Sequence, residues 1–430
     1  MQTRFSPAQL DDPATARAAG IIRNCVHCGF CTATCPTYLL TGDELDSPRG
    51  RIWLIKDMLE AGGPPTATAV RHVDRCLGCL SCVTTCPSGV DYRQLVDTAR
   101  DHIAEHHTRP WHDRALRRLL SLVLTRPVLF GTATRMGRLV RPLAGRMPKP
   151  VAALLAMVPA RAATAAMLRA GVFPATGTRT ARVALHPGCV QPVLRPEIDT
   201  AAIRLLNRHG VDVVVAATGI CCGALDHHMG RAARARALAA ANIVAWEAAI
   251  AADGLDAILV TASGCGTVVK HYDELFADDP AWQARARRIM ALTRDVSEYL
   301  ATLTLLPPVI APGLAVAYHA ACSLQHGQQV RGAPRDLLGA CGFAVREIGE
   351  GHICCGSAGT YSILQAEMAG ALRMRKQVAI RATGAGVVVS GNIGCLEHLD
   401  SADVPTVHLV ELLDWATGGA APSALARVRR

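Results

Sequence analysis

Short apolar runs alternate with long Ala- and Leu-rich stretches through the second half of the chain. The runs are RVALH, VDVVVAA and DAILVTA, followed by LAVAYH, FAVREI and GVVVSG, and most are rich in β-branched residues. Between them, stretches such as Glu197 to Arg208 and Arg231 to Ala252 have the composition and periodicity of helices. Strands that alternate with helices predict an α/β fold with parallel strands, in which ligands gather at the carboxyl ends of the strands.

The front of the chain has a different pattern, in which one amphipathic helix stands between two cysteine-rich segments. The sequence DSPRGRIWLIKDMLEAGG offers a helix start at Asp46 or Ser47 and a stop at Gly62 and Gly63. The apolar positions between them are Ile52, Leu54, Ile55, Met58 and Leu59. We predict that this helix packs across both cysteine-rich segments.

The segment from Trp111 to Ala170 joins the two regions and is strongly basic. It holds eleven Arg and Lys residues against one acid, Asp113, so its net charge equals the +10 of the whole chain. Apolar residues interleave with the arginines, and prolines interrupt the segment at Pro127, Pro142, Pro148 and Pro150. Basic amphipathic helices bind anionic membrane surfaces. We predict a broken helical linker that docks on such a surface; a spacer facing water or an acidic partner is the alternative.

Length and composition indicate a packed globular protein. The 430 residues are enough for two or three domains, and 50% are hydrophobic. The amino terminus has no apolar run with a cleavage site, and prolines break the uncharged run from Tyr299 to Tyr318, so we expect neither a signal peptide nor a transmembrane helix. We expect a cytoplasmic chain, peripheral on the cytoplasmic face of the inner membrane. With 4% aromatic residues and no reading motif beside the basic segment, we expect no nucleic-acid partner.

Seventeen cysteines in a reducing compartment indicate metal or redox chemistry rather than disulfides. Eight of them form two copies of C-x2-C-x2-C-x3-C-P, namely CVHCGFCTATCP and CLGCLSCVTTCP. A zinc ribbon needs two separate pairs, whereas this spacing wraps one loop around three corners of an iron–sulfur cube and takes the fourth ligand from the other copy. We therefore predict two [4Fe–4S] clusters, the first held by Cys25, Cys28, Cys31 and Cys86 and the second by Cys76, Cys79, Cys82 and Cys35.

Eight further cysteines form an internal repeat. LHPGC, GICCG and ASGC recur as YHAAC, HICCG and NIGC, with 32 positions from the first cysteine to the adjacent pair in both copies. Pairs followed by Gly223 and Gly356 at the same offset are hard to explain as core packing, so we predict a metal or iron–sulfur site in at least one copy, with a dithiol role as the alternative. Cys341, alone in LLGACGFAV, is predicted to be an inert buried thiol. The candidate ligands are Cys189, Cys221, Cys222, Cys265, Cys322, Cys354, Cys355 and Cys395.

Charged and histidine side chains near these cysteines leave alternatives open. Arg49 and Arg51 could tune a cluster or contact a partner, or they could form a solvated helix start. His186 and His319 stand three positions before Cys189 and Cys322, and His352 precedes the second CC pair. We interpret such strand-end histidines as hydrogen-bonded to the backbone, with a role beside or on the metal as the alternative.

The four-cysteine motifs, the segment CVHCGFCTATCPTYLLTGDELDSPRGRIWLIK and the paired CCG repeats resemble the iron–sulfur subunits of bacterial glycolate oxidases, from about residue 20 to about residue 415. The resemblance and the pattern together predict an α+β and α/β fold. A mostly helical two-cluster ferredoxin-like domain (15–105) precedes a basic helical linker (106–178) and two repeated α/β CCG domains with parallel strands (179–305 and 306–418).

The CCG halves also resemble those of heterodisulfide reductase subunits, where such cysteines hold non-cubane clusters and each half ends in C-x-x-C. Here Ala262 and Asn392 stand three positions before the last cysteine of each half, so one thiolate per half is missing. Four thiolates could still hold one conventional cluster.

The resemblance implies an electron-transfer subunit that is inactive alone. A one-electron cluster cannot by itself take a hydride from a 2-hydroxy acid, and the chain has neither G-x-G-x-x-G opening a helix nor a Walker A loop. Partner subunits that carry FAD would oxidise glycolate to glyoxylate, and this chain would pass their electrons to a membrane acceptor such as quinone. The alternatives are the corresponding subunit of an anaerobic glycerol-3-phosphate dehydrogenase or D-lactate dehydrogenase, and a thiol–disulfide enzyme acting at the CCG sites.

Overall fold

The computed structural model describes residues 1–147, 158, 167–219, 221–310 and 313–427. The chain forms a helical front region, a helical linker and two α/β halves, as the sequence predicts. The longer helices of the front region and linker are Pro13–Arg23, Pro48–Ala61, Ala67–Asp74, Tyr92–His106, Trp111–Leu124 and Pro127–Val140, and short helices are Pro7–Leu10, Pro36–Thr41 and Ser81–Thr85. Short 3₁₀ segments are Phe30–Thr32, Glu44–Asp46 and Arg141–Arg146.

The helix Pro48–Ala61 confirms the predicted start and stop. The Ser47 hydroxyl accepts a hydrogen bond from the Gly50 amide, Pro48 occupies the first turn, and Gly62 ends the helix with a φ of 66°. Its apolar face is buried in one core with cysteines of both front segments, Cys25, Cys76 and Cys82 among them. The helix thus packs across both cysteine-rich segments.

The linker follows the predicted breaks where the structure describes it. One helix ends before Pro127 and the next begins at that proline, while Pro142 lies in the segment Arg141–Arg146. Pro148 and Pro150 lie outside the described residues. The first linker helix rests on the first α/β half, where the Ser121 hydroxyl donates to the buried Asp226 carboxylate over 2.5 Å.

Each α/β half is built on a mostly parallel sheet. The first sheet holds β1 (Gly171–Phe173), β2 (Ala181–His186), β3 (Val211–Val215), β4 (Ala257–Val260) and β5 (Thr293–Asp295) in the order β1-β3-β2-β4-β5. The second holds β6 (Ala315–Tyr318), β7 (Ala344–Glu347), β8 (Val387–Ser390) and β9 (Thr406–His408) in the order β7-β6-β8-β9. Only β1 runs antiparallel to its neighbour among the described strands.

Apart from β1, the two sheets share one strand order, so the repeat seen in the cysteines is a repeat of the fold. All six predicted apolar runs form strands, and sequence reasoning missed only the three-residue strands β1, β5 and β9. The helices of the first half are Gln191–Leu194, Pro196–Arg208, Ala224–His228, Ala232–Asp253, Ser263–Val269, Tyr272–Leu275, Pro280–Leu292 and Val296–Leu300. Those of the second are Ala333–Ala340, Tyr361–Leu364, Ala366–Arg381, Ile393–Leu399 and Leu409–Ala416, with a π-helical turn at Ser323–Gly327 and a 3₁₀ segment at Ser423–Arg427.

The two halves pack into one another. Their largest core contains strand residues of both sheets, including Leu185 and Val316, and buries Cys341 as predicted. At its edge the fully buried Asp414 binds Arg204 over 2.5 Å and Arg208 over 2.9 Å, which ties the helix Leu409–Ala416 to the helix Pro196–Arg208. The domain boundary at residue 305 remains a prediction, but the halves on either side of it share this core.

Candidate iron–sulfur sites

The first four predicted ligands lie around one small cavity in the front region. Cys25, Cys28 and Cys31 follow the helix Pro13–Arg23 on a loop, and Cys86 ends the helix Ser81–Thr85. All four line the same cavity of about 30 Å³, which Cys82 of the second motif also lines. Positive φ angles at His27 (56°) and Gly29 (88°) turn the loop between its cysteines. The structure therefore brings together the residues predicted to share the first cluster.

The second set also contains a thiol from the other motif. Cys76 and Cys79 lie on the loop before the helix Ser81–Thr85, Cys82 lies in that helix, and Cys35 caps the helix Pro36–Thr41. Burial raises the pKa of the Cys82 thiol well above its ordinary value, and the neighbouring thiols of Cys79, Cys76, Cys35 and Cys31 raise it further. Thiols of both motifs therefore lie near Cys82, and the assignment of Cys35 to the second cluster stays a prediction.

Arg51 places a buried positive charge beside this second site. Its guanidinium lies 3.9 Å from the Cys35 sulfur and donates to the His72 carbonyl over 2.6 Å and to the Asp46 carboxylate over 3.2 Å. Of the two alternatives for the helix start, solvation is therefore wrong for Arg51. Arg49 lies nearer the surface and pairs with Glu44.

In the first α/β half, the cysteines follow the carboxyl ends of three parallel strands. Cys189 follows β2, Cys221 and Cys222 follow β3, and Cys265 lies in the helix after β4. The Cys222 thiol and, after it, the His186 imidazole lower the pKa of Cys265 to about 6, although burial opposes them. Gly223 is required here because its φ is 87° and an added Cβ would approach the Ala235 carbonyl oxygen to 3.0 Å.

The second half repeats this arrangement. The Cys322 and Cys354 sulfurs lie 3.6 Å apart, and those of Cys355 and Cys395 lie 3.5 Å apart. The Asn392 side-chain amide donates to the Cys395 sulfur over 3.3 Å. At the position where heterodisulfide reductases have another cysteine, this half therefore has a hydrogen-bond donor.

The two halves differ in the polar residue that the long helix presents to the paired cysteines. In the first half, Asn242 is fully buried and its amide donates to the Cys221 carbonyl over 2.8 Å. In the second, the matching helix carries Lys376, which is 2% exposed and donates to the Glu350 carbonyl over 2.7 Å. Burial lowers the pKa of this lysine, while the nearby Cys355 and Cys354 thiols oppose that shift.

In the second half, cysteines pack against the loop that holds Cys76 and Cys79 in the front region. Among the described residues, the buried clusters show no such contact for the first half. Leu77 shares a buried cluster with Cys354 and Tyr361, and Cys79 and Cys322 pack against that cluster. The Tyr361 hydroxyl donates to the Arg75 carbonyl over 3.1 Å. The second front site and the second α/β half therefore meet across an apolar contact.

The segment before Cys265 in the first half contacts two cysteine segments of the second half, those of Cys395 and Cys322. The Ser263 amide donates to the Gly391 carbonyl over 3.1 Å, and the Ser263 and Ser323 hydroxyls lie 2.7 Å apart. All eight cysteines of the repeat, Cys189, Cys221, Cys222, Cys265, Cys322, Cys354, Cys355 and Cys395, line one open cavity of about 2440 Å³. The two sites face a common space.

The histidines depart from the sequence interpretation. His186 and His319 are 2% exposed, but their ring nitrogens have no hydrogen-bond partner among the described residues. The expected hydrogen bonds from these rings to the backbone are absent there; the rings face cysteine sulfurs instead. His352 is exposed, and its carbonyl accepts from His326 over 3.2 Å.

The donors fit iron–sulfur clusters, because every cysteine of the four groups is a free thiol, most are buried and they lie in fours.

Residues 21–90 match the family described as 4Fe-4S dicluster domain, and residues 183–270 and 316–400 each match the cysteine-rich domain family. The glycolate oxidase iron-sulfur subunit of Escherichia coli is 40% identical over 97% of this chain and 99% of its own length. The chain belongs to the family of glycolate oxidase iron–sulfur subunits.

Other relatives agree with this membership. The probable glycolate oxidase iron-sulfur subunit of Bacillus subtilis is 33% identical over 93% of this chain and 95% of its own length. A lactate utilization protein A from Macrococcus caseolyticus is 28% identical over 54% of this chain and 96% of its own length. A solved structure of a hypothetical protein from Helicobacter pylori, at 9% identity and a TM-score of 0.55 over 97% of this chain and 74% of its own, shares the fold.

As a member of this family, the chain is an iron–sulfur subunit of an oxidoreductase complex, and its front domain is a two-cluster [4Fe–4S] domain. Its assembly with other subunits follows from that membership.

Among the described residues, the helix Ala232–Asp253 has the length and hydropathy of a membrane span. Ile243 and Trp246 of this helix are buried in the core of the first half.

Proposed function

We propose that this chain carries electrons from FAD on partner subunits, where glycolate is oxidised to glyoxylate, to a membrane acceptor such as quinone. The observation that carries the proposal is the order of the sites: the second front cysteine loop packs against cysteines of the second α/β half. Thiol sites in contact through a buried, apolar boundary form a route for single electrons. The sequence has neither G-x-G-x-x-G opening a helix nor a Walker A loop, and an iron–sulfur cluster carries one electron at a time, so we propose that the chain does not oxidise glycolate alone.

We assign the front ligands as the sequence predicts. The first cluster takes Cys25, Cys28, Cys31 and Cys86, which line one cavity, and the second takes Cys76, Cys79, Cys82 and Cys35, whose thiols act on one another. Cys28 is exposed, whereas Cys82 is buried. Electrons therefore enter at the first cluster, close to the surface, and leave inward from the second.

We further propose one iron–sulfur cluster in each α/β half. Four thiols in each half stand at the carboxyl ends of parallel strands, and this chain gives the two halves the same set. A buried cluster of thiols without disulfides is better explained by metal binding than by packing, because the adjacent cysteines crowd their sulfurs within 3.6 Å of neighbouring sulfurs in the second half.

Iron and acid-labile sulfide per chain, measured after anaerobic purification, test these assignments. We expect clearly more than about eight irons in the wild type, because two front cubes account for about eight. The variant Cys222→Ser with Cys355→Ser should fall back toward eight, whereas Cys341→Ser, which removes a buried thiol outside the four cysteine groups, should not. Eight irons in all three proteins would contradict clusters in the α/β halves.

The partner and substrate need a separate test. A strain that lacks its own copy of this subunit should regain glycolate-dependent reduction of a quinone analogue when it expresses this chain together with flavoprotein partners of the glycolate oxidase type. Recovery with glycerol 3-phosphate or D-lactate dehydrogenase partners instead would move the chain to another complex while leaving its electron-carrying role intact.

We place the membrane contact on the two linker helices. Their exposed apolar side chains include Trp111, Leu119, Val128, Met136 and Leu139. Exposed arginines at positions 114, 118, 126 and 135 accompany them. This combination of apolar side chains and positive charge suits an anionic lipid surface.

Vesicle flotation tests this contact. The full chain should float with vesicles that contain anionic lipid, and the variant Leu119→Gln with Leu139→Gln should bind several-fold less. The matched control is Val378→Gln, an exposed apolar residue on a helix of the second half. Equal binding by all three proteins would show that the linker helices do not form the membrane contact.

A further inference from the structure

Two buried histidines occupy matching positions in the two halves. His186 is the last residue of β2, and His319 directly follows β6, the equivalent strand of the second sheet. Each stands three residues before the first cysteine of its half. Since both lie at the carboxyl end of a central strand, their rings reach the same point of the fold as the cysteines.

Both imidazoles are polar groups with nothing to satisfy them in the described protein. Each is 2% exposed, and neither ring nitrogen of either residue has a hydrogen-bond partner among the described residues. A buried polar group left without a partner destabilises the folded state. Finding this twice, at equivalent positions, indicates a ligand that the protein atoms alone do not supply.

Other buried histidines of this chain are satisfied. His408 is fully buried and its Nε2 lies 2.8 Å from the Thr261 carbonyl oxygen. His72 is buried and its Nδ1 lies 2.8 Å from the Asp46 carboxylate. The fold therefore provides partners for buried imidazoles elsewhere, so the two rings at the strand ends are exceptions that need their own explanation.

What these two rings face is sulfur. One ring nitrogen of His186 and the sulfurs of Cys222 and Cys265 all lie within 4.8 Å of one another. The same holds for His319 with Cys355 and Cys395. A nitrogen and two sulfurs converge at each site, and further cysteines of each half adjoin them.

The donor count points the same way. Each half has four thiols in the repeated pattern, and the position three before its last cysteine is Ala262 or Asn392 rather than a further cysteine. Asn392 presents its amide N–H₂ to the Cys395 sulfur, so that group acts as a hydrogen-bond donor and not as a ligand. Among the described residues, the imidazole is the further metal-binding group that lies within 4.8 Å of two thiols in each half.

We propose that His186 and His319 are ligands of the clusters in the α/β halves, each adding one imidazole nitrogen to the four thiolates of its half. The inference rests on the proposed function, which places a cluster in each half. An imidazole donates less negative charge than a thiolate, and in two-iron clusters the replacement of cysteine by histidine raises the reduction potential. Each site would therefore be easier to reduce than an all-cysteine site of the same geometry.

Pulsed electron paramagnetic resonance of the anaerobically purified, chemically reduced full chain tests the inference. A directly bound imidazole nitrogen gives a strong ¹⁴N coupling to the reduced cluster. We expect this coupling in the wild type, its loss in the variant His186→Cys with His319→Cys, and unchanged iron content, because cysteine restores a ligand at each position. The double variant should also be harder to reduce.

The control is His408→Gln, which alters a buried histidine that already has a hydrogen-bond partner. It should keep the ¹⁴N coupling. A coupling that persists in the double cysteine variant, or is absent from a wild type that holds more than about eight irons, would overturn histidine ligation and leave the proposed function standing. A wild type with only about eight irons, or with zinc in the two halves, would overturn the clusters themselves and the inference with them.

Discussion

The two α/β halves have the same strand order and the same four thiols with one histidine, yet they contact the rest of the molecule in different ways. The second half meets the front region through an apolar contact beside Cys79 and carries the buried Lys376. The first half meets it through polar pairs, such as His227 with Asp97 over 3.1 Å, and has Asn242 in place of the lysine. The comparison teaches that a repeated fold supplies two sets of thiols with the same arrangement, while their contacts with the front region differ; under the proposed function, these contacts decide which set receives electrons.

The largest difference is expected when each site is removed in turn. Cys355→Ser with Cys395→Ser should slow electron transfer from the front clusters to the acceptor by at least about tenfold. Mutation of residues that only hydrogen-bond to metal ligands already lowers metal affinity or activity by about tenfold or more, and this variant removes two ligands. Cys222→Ser with Cys265→Ser should leave the second-half cluster reducible from the front. The check is the rate of cluster reduction in the assembled complex after mixing with glycolate.

The reverse outcome of this test has a clear meaning. If the first-half variant blocks reduction of the second-half cluster and the second-half variant leaves the first-half cluster reducible, the apolar contact at Cys79 is not the entry to the α/β region. The order of the two halves in the route would then be exchanged.

The next difference is electrostatic. Lys376→Met removes a buried positive charge beside the cysteines of the second α/β half. The change should lower the reduction potential of the cluster in that half by on the order of 100 mV, the scale of a partly screened charge a few ångströms away. Asn242→Leu in the first half changes no charge and is the matched control. Redox titration followed by paramagnetic resonance separates the two, and equal shifts would show that the lysine is too well neutralised to matter.

A smaller difference concerns pH. Asp97 raises the pKa of His227 above its ordinary value, against burial, which acts to lower it. The stabilisation from this pair is fully present below the ordinary histidine pKa of about 6.5 and is lost as the pH rises through the raised value. The polar contact of the first half should therefore loosen in mildly alkaline buffer, while the apolar contact of the second half should not.

Hydrogen exchange at several pH values measures this contrast. Protection of the helix Tyr92–His106 should fall with rising pH beyond the intrinsic change in exchange rate, and His227→Gln should abolish the dependence. The loop that contains Leu77 should show no such dependence. A pH dependence that survives in His227→Gln would assign it to another group.

The smallest expected effect comes from one hydrogen bond at the apolar contact. Tyr361→Phe removes the bond to the Arg75 carbonyl and should cost about 1 kcal/mol of unfolding free energy. The ring remains in place, so the route between the second front site and the second half should be unchanged. Chemical denaturation of the cluster-loaded chain checks the first expectation, and a slower electron transfer in this variant would contradict the second.

Sequence reasoning captured the features that depend on local pattern. The caps at Ser47 and Gly62, the six apolar runs that became strands and the fours of cysteines are all written into short stretches of chain. What it missed depends on contacts between distant segments. For Arg51 the sequence left a role beside a cluster and a solvated helix start open, and it gave no signal for Lys376; only packing buries both side chains.

The histidines illustrate the same limit more sharply. Their repeat at matching positions was visible, and it was a signal for a role at the site. A strand-end histidine bonded to the backbone and one aimed at sulfur look identical in sequence. The two kinds of histidine differ in whether a ring nitrogen has a hydrogen-bond partner. Among the described residues, the ring nitrogens of His186 and His319 have none, and this depends on the folded structure.

The central claim is that the second front cluster lies next to the cluster of the second α/β half, and one measurement tests it directly. Two reduced clusters in proximity broaden or split each other's paramagnetic resonance, and the interaction falls steeply with distance. The two front clusters interact with each other in every variant, so the test concerns the splitting that remains beyond theirs. The account predicts this further interaction in the reduced wild type and in Cys222→Ser, and its loss in Cys355→Ser. A further interaction that disappears in Cys222→Ser and persists in Cys355→Ser would contradict the account.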